Sequence, residues 1–486
     1  MNSLLRLHLQ NVFMQCRDNF IKYLRSLITI IQYSTITGKI PVLILHTITN
    51  NCLVHNLKLF FFFFFLGIDT VSKMRLVLCL YIVLAVLYIP VQGDHHDQND
   101  GSHEEVHGQG RDILNIYHKN ANFAFHLYQQ IASQSDSQSK NIFFSPLSVS
   151  LALAALSLGA KGETHRQLFR GLGFNETEIT VEEVNEAFHQ ILLDLNKKAD
   201  VDLSVGSALF MNDTFKPRPE FLENMKRYYH SEAFTADFTK TTETRDLINK
   251  HVKDKTHGKI PELVKNMDTS TVMYLISYIY FKGKWEFPFS THETTEDIFH
   301  VDEKTRVAVK MMSQKRYFNI YYDQELSTDI LELHYGKSVS MMLVLPRKGL
   351  KALEDVLDKS QVAKWHKWMK KMECQVFIPK FSISTSYSLQ EILTKMGITD
   401  IFGERANFTG ISEEETLSVS KIIHRATLDI DETGTMGSAV THILLKPLSF
   451  SSSLTMKFNH PFMVIIYEQD VKSILFMGKI VNPMDS

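Results

Sequence analysis

Residues 432–450 read ETGTMGSAVTHILLKPLSF, and the rest of the chain is interpreted outward from this stretch. Side chains on a strand alternate between two faces, so every second residue would share a face. One such set has no charge and could face a protein core, whereas the opposite set contains Lys446, which would face water. The stretch could therefore be a strand in one state of the protein, although no turn signal or adjacent pairing partner forces it to be one. The uncharged set is Thr435, Gly437, Ala439, Thr441, Ile443 and Leu445.

Other motifs occur in order along the chain: NIFFSPLSVS at residues 141–150, FKGKWE at residues 281–286 and FNHPF at residues 458–462. Together with the Glu-x-Gly-Thr at residue 432, they resemble motifs of the serpins, in the group of alpha-1-antitrypsin and antichymotrypsin. The resemblance covers about residues 113–486. It implies one α+β serpin domain, with about nine helices around three β-sheets and an exposed reactive-centre loop at about residues 432–456.

Local patterns also favour an α+β domain. Residues 113–134 carry apolar side chains at helical spacing, and the continuous apolar run at residues 273–281 predicts a buried central strand. Ser145 followed by Pro146 predicts the beginning of a helix, with Ser145 as its N-cap. The mixture of helices with strands indicates large antiparallel sheets.

The resemblance implies that the chain is a suicide substrate of serine proteases. A protease attacks a bond in the loop, and the acyl-enzyme is trapped when the cut loop enters the main sheet as a new strand. A proline would remove a ladder donor and a charge would be costly to bury, and neither occurs between Gly434 and Val440. This composition favours an inhibitor. The implied hinge residues are Glu432, Gly434, Thr435, Gly437 and Ala439.

Alignment with the family implies that the cleaved bond is Leu448–Ser449. A leucine before the cut favours apolar primary pockets, so chymotrypsin-like, elastase-like or cathepsin G-like proteases are the expected targets. Phe450 is the second candidate for the residue before the cleaved bond, and it would also favour chymotrypsin-like proteases. Lys446 would attract trypsin-like enzymes, but the following Pro447 disfavours that cleavage.

The resemblance also implies two regions where the main sheet opens. Ser145, Ser148 and His424 match shutter positions, and Trp285 matches the breach tryptophan. Ser277 stands where the family has an asparagine. A serine can still form hydrogen bonds but reaches less far, which puts the shutter's stability in doubt.

The hinge glutamate departs from the family pattern as well. Antitrypsin-like members pair it with a lysine in Val-Lys-Val-Pro-Met-Met, but the matching position here is Ala308, which cannot pair with Glu432. Arg306 and Lys310 lie on the same strand face by alternation. We therefore expect one of them to replace the missing lysine.

Two other functions are open. One is a non-inhibitory serpin that carries a small hydrophobic hormone. The other is a hydrolase, but no Gly-x-Ser-x-Gly elbow and no Ser/His/Asp constellation is found, so the chain is not expected to be an enzyme. No Cys/His cluster has metal-ligand spacing, and we expect no metal or cofactor. The net charge of −2 favours neither nucleic acid nor membrane, and a monomer is expected.

The N-terminal region predicts secretion. Residues 74–93 have a basic start, an apolar run and a small residue at the end, as in a signal peptide. The alternative, a transmembrane helix, needs about 20 apolar residues, and this run is about 14. Residues 1–73 are interpreted as an upstream extension absent from the mature protein, or else as a genuine long leader. Residues 94–112 predict an acidic, His-rich, disordered tail.

Two surface features complete the predictions. Asn-x-Thr acceptors for glycans begin at Asn175, Asn212 and Asn407. A helix with a basic face is predicted near residue 364 and could bind a heparin-like polysaccharide, or could simply be a solvated face. Its basic residues are Lys364, Lys367, Lys370 and Lys371.

Overall fold

Helices and strands are mixed along the whole of the region that the structure, a computed structural model, describes. The described residues are 103–413, 417–435 and 454–485, and the side chains of 103–112 and 114 are not described. The predicted upstream extension and signal peptide lie outside this part. Within it, no helix is long and apolar enough to cross a bilayer.

The described residues contain nine α-helices, in agreement with the expected number. They are α1 His103–Ala132, α2 Pro146–Ser157, α3 Gly162–Gly171, α4 Val181–Asn196, α5 Pro219–Tyr229, α6 Thr241–Lys255, α7 Leu350–Glu354, α8 Lys359–Trp368 and α9 Gln390–Lys395.

Two helix starts compare directly with the sequence predictions. The N-cap at Ser145 is confirmed, because its hydroxyl accepts the Ser148 N–H at 3.2 Å. Helix α1 begins at His103, so residues 103–112 of the tail expected to be disordered are helical. Extending a helix costs little once its later turns are packed, which is why polar residues can continue it.

Fourteen strands are described. They are β1 Ile142–Phe144, β2 Val201–Asn212, β3 Glu232–Ala236, β4 Met273–Gly283, β5 Thr295–His300, β6 Arg306–Asp323, β7 Thr328–Tyr335, β8 Val339–Pro346, β9 Lys370–Pro379, β10 Phe381–Ser388, β11 Lys421–Ile430, β12 Leu454–Lys457, β13 Phe462–Glu468 and β14 Ile474–Ile480.

The strands join into two hydrogen-bonded sheets within the described residues, rather than the expected three. The larger sheet has nine strands in the order β1-β14-β13-β8-β7-β6-β9-β12, with β5 on β6. Strand β6 is 18 residues long and pairs with β5 near one end, with β7 near the other, and with β9 between them. This one strand therefore fuses what would otherwise be two separate sheets.

The smaller sheet has the order β10-β11-β4-β2-β3 and positions the candidate site. Strand β4 is the predicted central strand, and nearly all of its residues are buried. It is antiparallel to β2 but parallel to β11. The β4–β11 register runs from Tyr274–Lys421 to Tyr278–Arg425 and then stops, so the last five residues of each strand, 279–283 and 426–430, are not paired with each other.

Candidate functional site

The chain reverses direction directly after β11. The Asp431 N–H donates to the Gly434 carbonyl at 3.0 Å, and the Asp431 carboxylate accepts the N–H groups of Thr433 at 2.8 Å and Gly434 at 3.2 Å. An aspartate that accepts such bonds from the next residues is a typical turn former. The turn sends the following residue back, antiparallel to β11.

The residues after this turn lie next to the C-terminal end of β4, where β4 and β11 do not pair with each other. Gly434 forms an antiparallel bridge with Lys284, and the Thr435 N–H donates to the Gly283 carbonyl at 2.7 Å. Thr435 is 3% exposed, and its hydroxyl lies 3.1 Å from the Tyr335 hydroxyl. Thr435 is thus buried, as expected for the first member of the uncharged set.

Gly434 is required at its position for two reasons. Its φ of +128° is in a region that side-chain-bearing residues rarely adopt. A Cβ placed on it would lie 2.3 Å from the Gly283 carbonyl oxygen and 2.7 Å from the Trp285 nitrogen. A side chain here would therefore force the hinge away from the end of β4.

Trp285, the predicted breach tryptophan, joins the hinge to the larger sheet. Its ring stacks on Tyr335 with 4.2 Å between centroids. Its indole N–H donates to the Asp431 carbonyl at 2.9 Å, and its backbone N–H donates to the Thr433 carbonyl at 2.9 Å. The Phe289 N–H adds a bond to the Glu432 carbonyl at 2.8 Å.

The ion-pair partner of Glu432 is Lys380, so the prediction of Arg306 or Lys310 is wrong. The Lys380 ammonium lies 2.7 Å from the Glu432 carboxylate, and the Thr294 hydroxyl donates to the same carboxylate at 2.8 Å. Lys380 reaches the hinge from the junction of β9 and β10, whereas Lys310 pairs with Glu296. Burial raises the pKa of Glu432, but the bonds from Lys380 and Thr294 outweigh it and the pKa lies below its ordinary value.

The four predicted shutter residues meet where β4 and β11 pair. The Ser145 N–H donates to His424 Nε2 at 3.0 Å, so Nε2 is unprotonated and the proton is assigned to Nδ1. Nδ1 then donates to the Ser277 hydroxyl at 3.1 Å, and Ser277 lies 2.6 Å from the Ser148 hydroxyl. Ser277 thus spans the network despite being shorter than asparagine.

His424 is neutral in this network. The side chain is fully buried, and burial lowers its pKa to about 3. A second proton would also point Nε2–H at the Ser145 N–H, so that two donors would face each other. The network therefore joins α2, β4 and β11 only while the imidazole is uncharged.

The remaining predicted residues are distributed as follows. Asn175 and Asn407 are exposed and Asn212 is half-buried, and each accepts the N–H of the Thr two positions later. The predicted basic helix is partly wrong. Helix α8 ends at Trp368, so Lys370 and Lys371 lie on β9, which follows directly.

Lys364 does lie on α8, but its ammonium is paired with Asp323 at 3.2 Å and Glu325 at 2.6 Å. Lys367 contacts the exposed Trp368 ring, with 5.7 Å between its ammonium and the ring centroid. The basic residues thus do not form a single helical face.

The predicted cleavage bond Leu448–Ser449, and the hinge residues Gly437 and Ala439, lie outside the described residues. Three contacts of the hinge were missed from the sequence: Lys380, Thr294 and Tyr335. Lys380 directly follows β9 and Thr294 directly precedes β5, and both strands belong to the larger sheet. Only the pairing of those strands brings the two residues to Glu432. No local pattern marks them.

Comparison with known proteins agrees with this geometry. A family profile described as Serpin (serine protease inhibitor) matches residues 118–483. Alpha-1-antiproteinase 2 of Equus caballus is 43% identical over 395 residues, covering 81% of this chain and 92% of that protein. Alpha-1-antiproteinase of Bos taurus is 44% identical over 365 residues, covering 75% of this chain and 87% of that protein.

Solved structures give the same result. Human thyroxine-binding globulin, solved with its hormone, superposes with a TM-score of 0.73 at 36% identity, covering 77% of this chain and 100% of that one. Human glycosylated kallistatin superposes with a TM-score of 0.71 at 38% identity, covering 77% of this chain and 100% of that one. The docked hinge, the shutter network, the fold and these relatives together place the chain in the serpin family.

Proposed function

We propose that this chain inhibits serine proteases as a suicide substrate, trapping the acyl-enzyme by inserting its cut loop between β4 and β11. The observation that carries the proposal is the hinge itself. The chain turns at Asp431–Gly434, Gly434 forms an antiparallel bridge with Lys284 directly after β4, and the Thr435 N–H donates to Gly283 at the end of β4. The serpin family and its antiproteinase relatives support inhibition of proteases as the general activity.

The direction of the strands supports insertion at this place. A strand that continues from Thr435 would run antiparallel to β11, because it follows a tight turn, and also antiparallel to β4, which is parallel to β11. With such a strand added, β10, β11, the loop, β4 and β2 would alternate in direction without interruption. Residues 279–283 of β4 and 426–430 of β11, which do not pair with each other, would each gain a partner strand on that side.

Two physical terms make insertion favourable. Each sheet hydrogen bond contributes about 1 kcal/mol net, and the loop would bond to strands on both sides. Each large apolar side chain of the uncharged set, Ile443 and Leu445, would add about 1.5–3 kcal/mol on full burial. The buried Thr435 supports this alternation at its first position. Chain entropy opposes insertion at about 1–2 kcal/mol per residue, so small, uncharged hinge residues are needed.

The proposed cleavage bond is Leu448–Ser449, and the proposed targets are chymotrypsin-like, elastase-like or cathepsin G-like serine proteases. Secretion through the signal peptide at residues 74–93, with glycans on Asn175, Asn212 and Asn407, would place the inhibitor outside the cell with such enzymes. The relatives named as antiproteinases support this environment. Polysaccharide binding is not favoured, since Lys364 is neutralised by Asp323 and Glu325.

A gel experiment tests the proposal. The protein is mixed with chymotrypsin or neutrophil elastase and examined in SDS, where we expect a covalent complex and a loop cut after Leu448. A Leu448→Arg variant is the matched control, because it should lose the chymotrypsin complex while it keeps the hinge. Clean cleavage without a complex would overturn inhibition.

That outcome would favour the alternative, a carrier of a small hydrophobic hormone. The specific observation for it is the structural similarity to thyroxine-binding globulin, which was solved in complex with thyroxine. Fluorescence titration with thyroxine and a corticosteroid would then identify the ligand. The antiproteinase names of the sequence relatives favour inhibition over this alternative.

A further inference from the structure

Two histidine side chains meet between α4 and the end of α5. His189 is half-buried on α4, and His230 is exposed and directly follows α5. Their ring centroids are 5.5 Å apart, and the ring planes are inclined at 81°. The two residues are 41 positions apart in the chain, so no ligand spacing in the sequence marks them. Neither belongs to the hinge or to the shutter network.

Buried contacts between the two helices hold this pair in place. Tyr229, the residue before His230, is 1% exposed, and its hydroxyl donates to the Asn185 side-chain oxygen at 2.5 Å. Its ring also packs on Phe188, the residue before His189, with 5.9 Å between centroids. His230 has a φ of +50°, a left-handed conformation of the kind that ends helices. The backbone positions of both histidines are therefore fixed by the packing of α4 against α5.

The ring nitrogens of the pair are available to a ligand. Nδ1 of His189 is buried and has no hydrogen-bond partner within the described residues. Nε2 of the same ring forms no hydrogen bond there either and is not enclosed, so it is the nitrogen open to a ligand. Burial lowers the pKa of His230, and the neighbouring His189 lowers it further. His230 is thus neutral at pH 7, which is the form of imidazole that binds a metal.

The separation of the two rings matches that of two imidazoles on one tetrahedral ion. A zinc–nitrogen bond is about 2.1 Å long, and the ring centre lies about 1.2 Å beyond the nitrogen. Two such rings at the tetrahedral angle have centres about 5.4 Å apart. The observed 5.5 Å therefore lets one ion bind a nitrogen of each ring after rotation of the side chains alone.

The charges beside the pair do not exclude a cation. The Arg227 guanidinium is 4.7 Å from the centre of the Tyr228 ring, and that ring contacts His189 with 6.5 Å between centroids. Glu186 neutralises Arg227 with an ion pair at 3.1 Å and lies three residues before His189, on the same face of α4. No group of three His, Cys, Asp or Glu side chains in the described part of the chain forms a metal site, so water would fill the other positions.

We propose that His189 and His230 bind a divalent transition-metal ion of the zinc class, which joins α4 to the end of α5. Imidazole is a usual ligand of zinc and of copper, and copper binds such nitrogen sites more tightly. A site with two protein ligands is open and weak, so we expect a Kd of about 10 μM for zinc. This site is independent of the protease inhibition proposed above.

Calorimetric titration of the uncut protein with zinc chloride tests the site. We expect His189→Gln and His230→Asn each to weaken binding at least tenfold, since each leaves a single protein ligand. Asparagine also suits the left-handed conformation at residue 230. His292→Ala is the matched control, because His292 is an exposed histidine outside α4 and α5. The histidines of residues 94–112 are the same in every variant, so any zinc that they bind cancels in the comparison.

A double variant separates one shared site from two independent ones. When one ion binds both rings, His189→Gln combined with His230→Asn should bind zinc as weakly as either single variant does. Undiminished binding by either single variant, or a further loss in the double variant, would overturn the shared site. Absence of zinc binding by the unchanged protein would overturn it as well.

Thermal unfolding gives a second readout. An ion that binds only the folded protein stabilises it, so zinc at 100 times its Kd should raise the melting temperature by about 3 °C. This shift should be lost in His230→Asn and kept in His292→Ala. Without zinc, His230→Asn should melt as the unchanged protein does, so that a lost shift reports the missing ligand. An equal zinc shift in His230→Asn and the unchanged protein would contradict the proposal.

Discussion

Replacing Lys380 with methionine removes the ammonium that holds Glu432 but keeps an apolar stem of similar length. The Glu432 side chain is 8% exposed and the Lys380 side chain 37% exposed, with 2.7 Å between the charged atoms. Exposed ion pairs contribute about 0–1 kcal/mol, whereas loss of one partner from a buried pair costs about 3–5 kcal/mol. Only the carboxylate is buried here, and Thr294 still donates to it. We therefore expect Lys380→Met to cost about 1–2 kcal/mol.

The assay is urea unfolding of the uncut protein, in a double-mutant cycle of Lys380→Met with Glu432→Gln. The cycle should give a coupling energy of about 1–2 kcal/mol. Lys310→Met is the control, because the Lys310–Glu296 pair is exposed and should cost less than about 0.5 kcal/mol. A coupling energy near zero, or a larger effect of Lys310→Met, would refute this account of the hinge.

Three further substitutions test the shutter and the hinge. His424 has a pKa of about 3 in the fold and about 6.5 when unfolded, so the unfolded state binds more protons as the pH falls below 6.5. Stability should fall by about 2 kcal/mol between pH 7.5 and pH 5, and urea unfolding of His424→Gln should show a smaller fall. Thr435→Arg places a charge at a buried position and should turn the inhibitor into a substrate; an unchanged yield of SDS-stable complex would contradict this. Gly434→Ala should destabilise the uncut protein by about 1–3 kcal/mol, measured by thermal unfolding, while Gly403→Ala, whose added Cβ meets nothing within 4 Å, should have little effect.

The sequence predicted the site best where one motif sets one local structure. The apolar run at residues 273–281 became β4, and Ser145 became the N-cap of α2, because burial and capping act over a few residues. The motif resemblance also placed Ser148, Ser277 and His424 in one network. Their meeting depends on the family fold rather than on any spacing in the chain.

The failures concern contacts made across the sheets. Lys380 is 52 residues before Glu432, and only the turn from β9 to β10 brings it to the hinge. Alternation within β6 selected Arg306 and Lys310, but it gives no information about which residues the neighbouring strand β9 brings alongside β6. The same limit explains why the unbroken length of β6, which fuses two sheets, was not foreseen.

The basic run at residues 364–371 failed for a different reason. It contains no glycine or proline, so nothing in it predicts that a helix ends at Trp368 and a strand begins at Lys370. Pairing of β9 with β6, from Lys370–Ile320 onward, overrides the helical preference of those lysines.

The central claim is that the uncut fold stores free energy, which is released when the severed loop joins β4 and β11. Thermal unfolding of the uncut protein and of protein nicked once between residues 436 and 453 measures this directly. Several new hydrogen bonds of about 1 kcal/mol each should raise the melting temperature of the nicked form by about 10 °C or more. Equal melting temperatures for the two forms would contradict the claim.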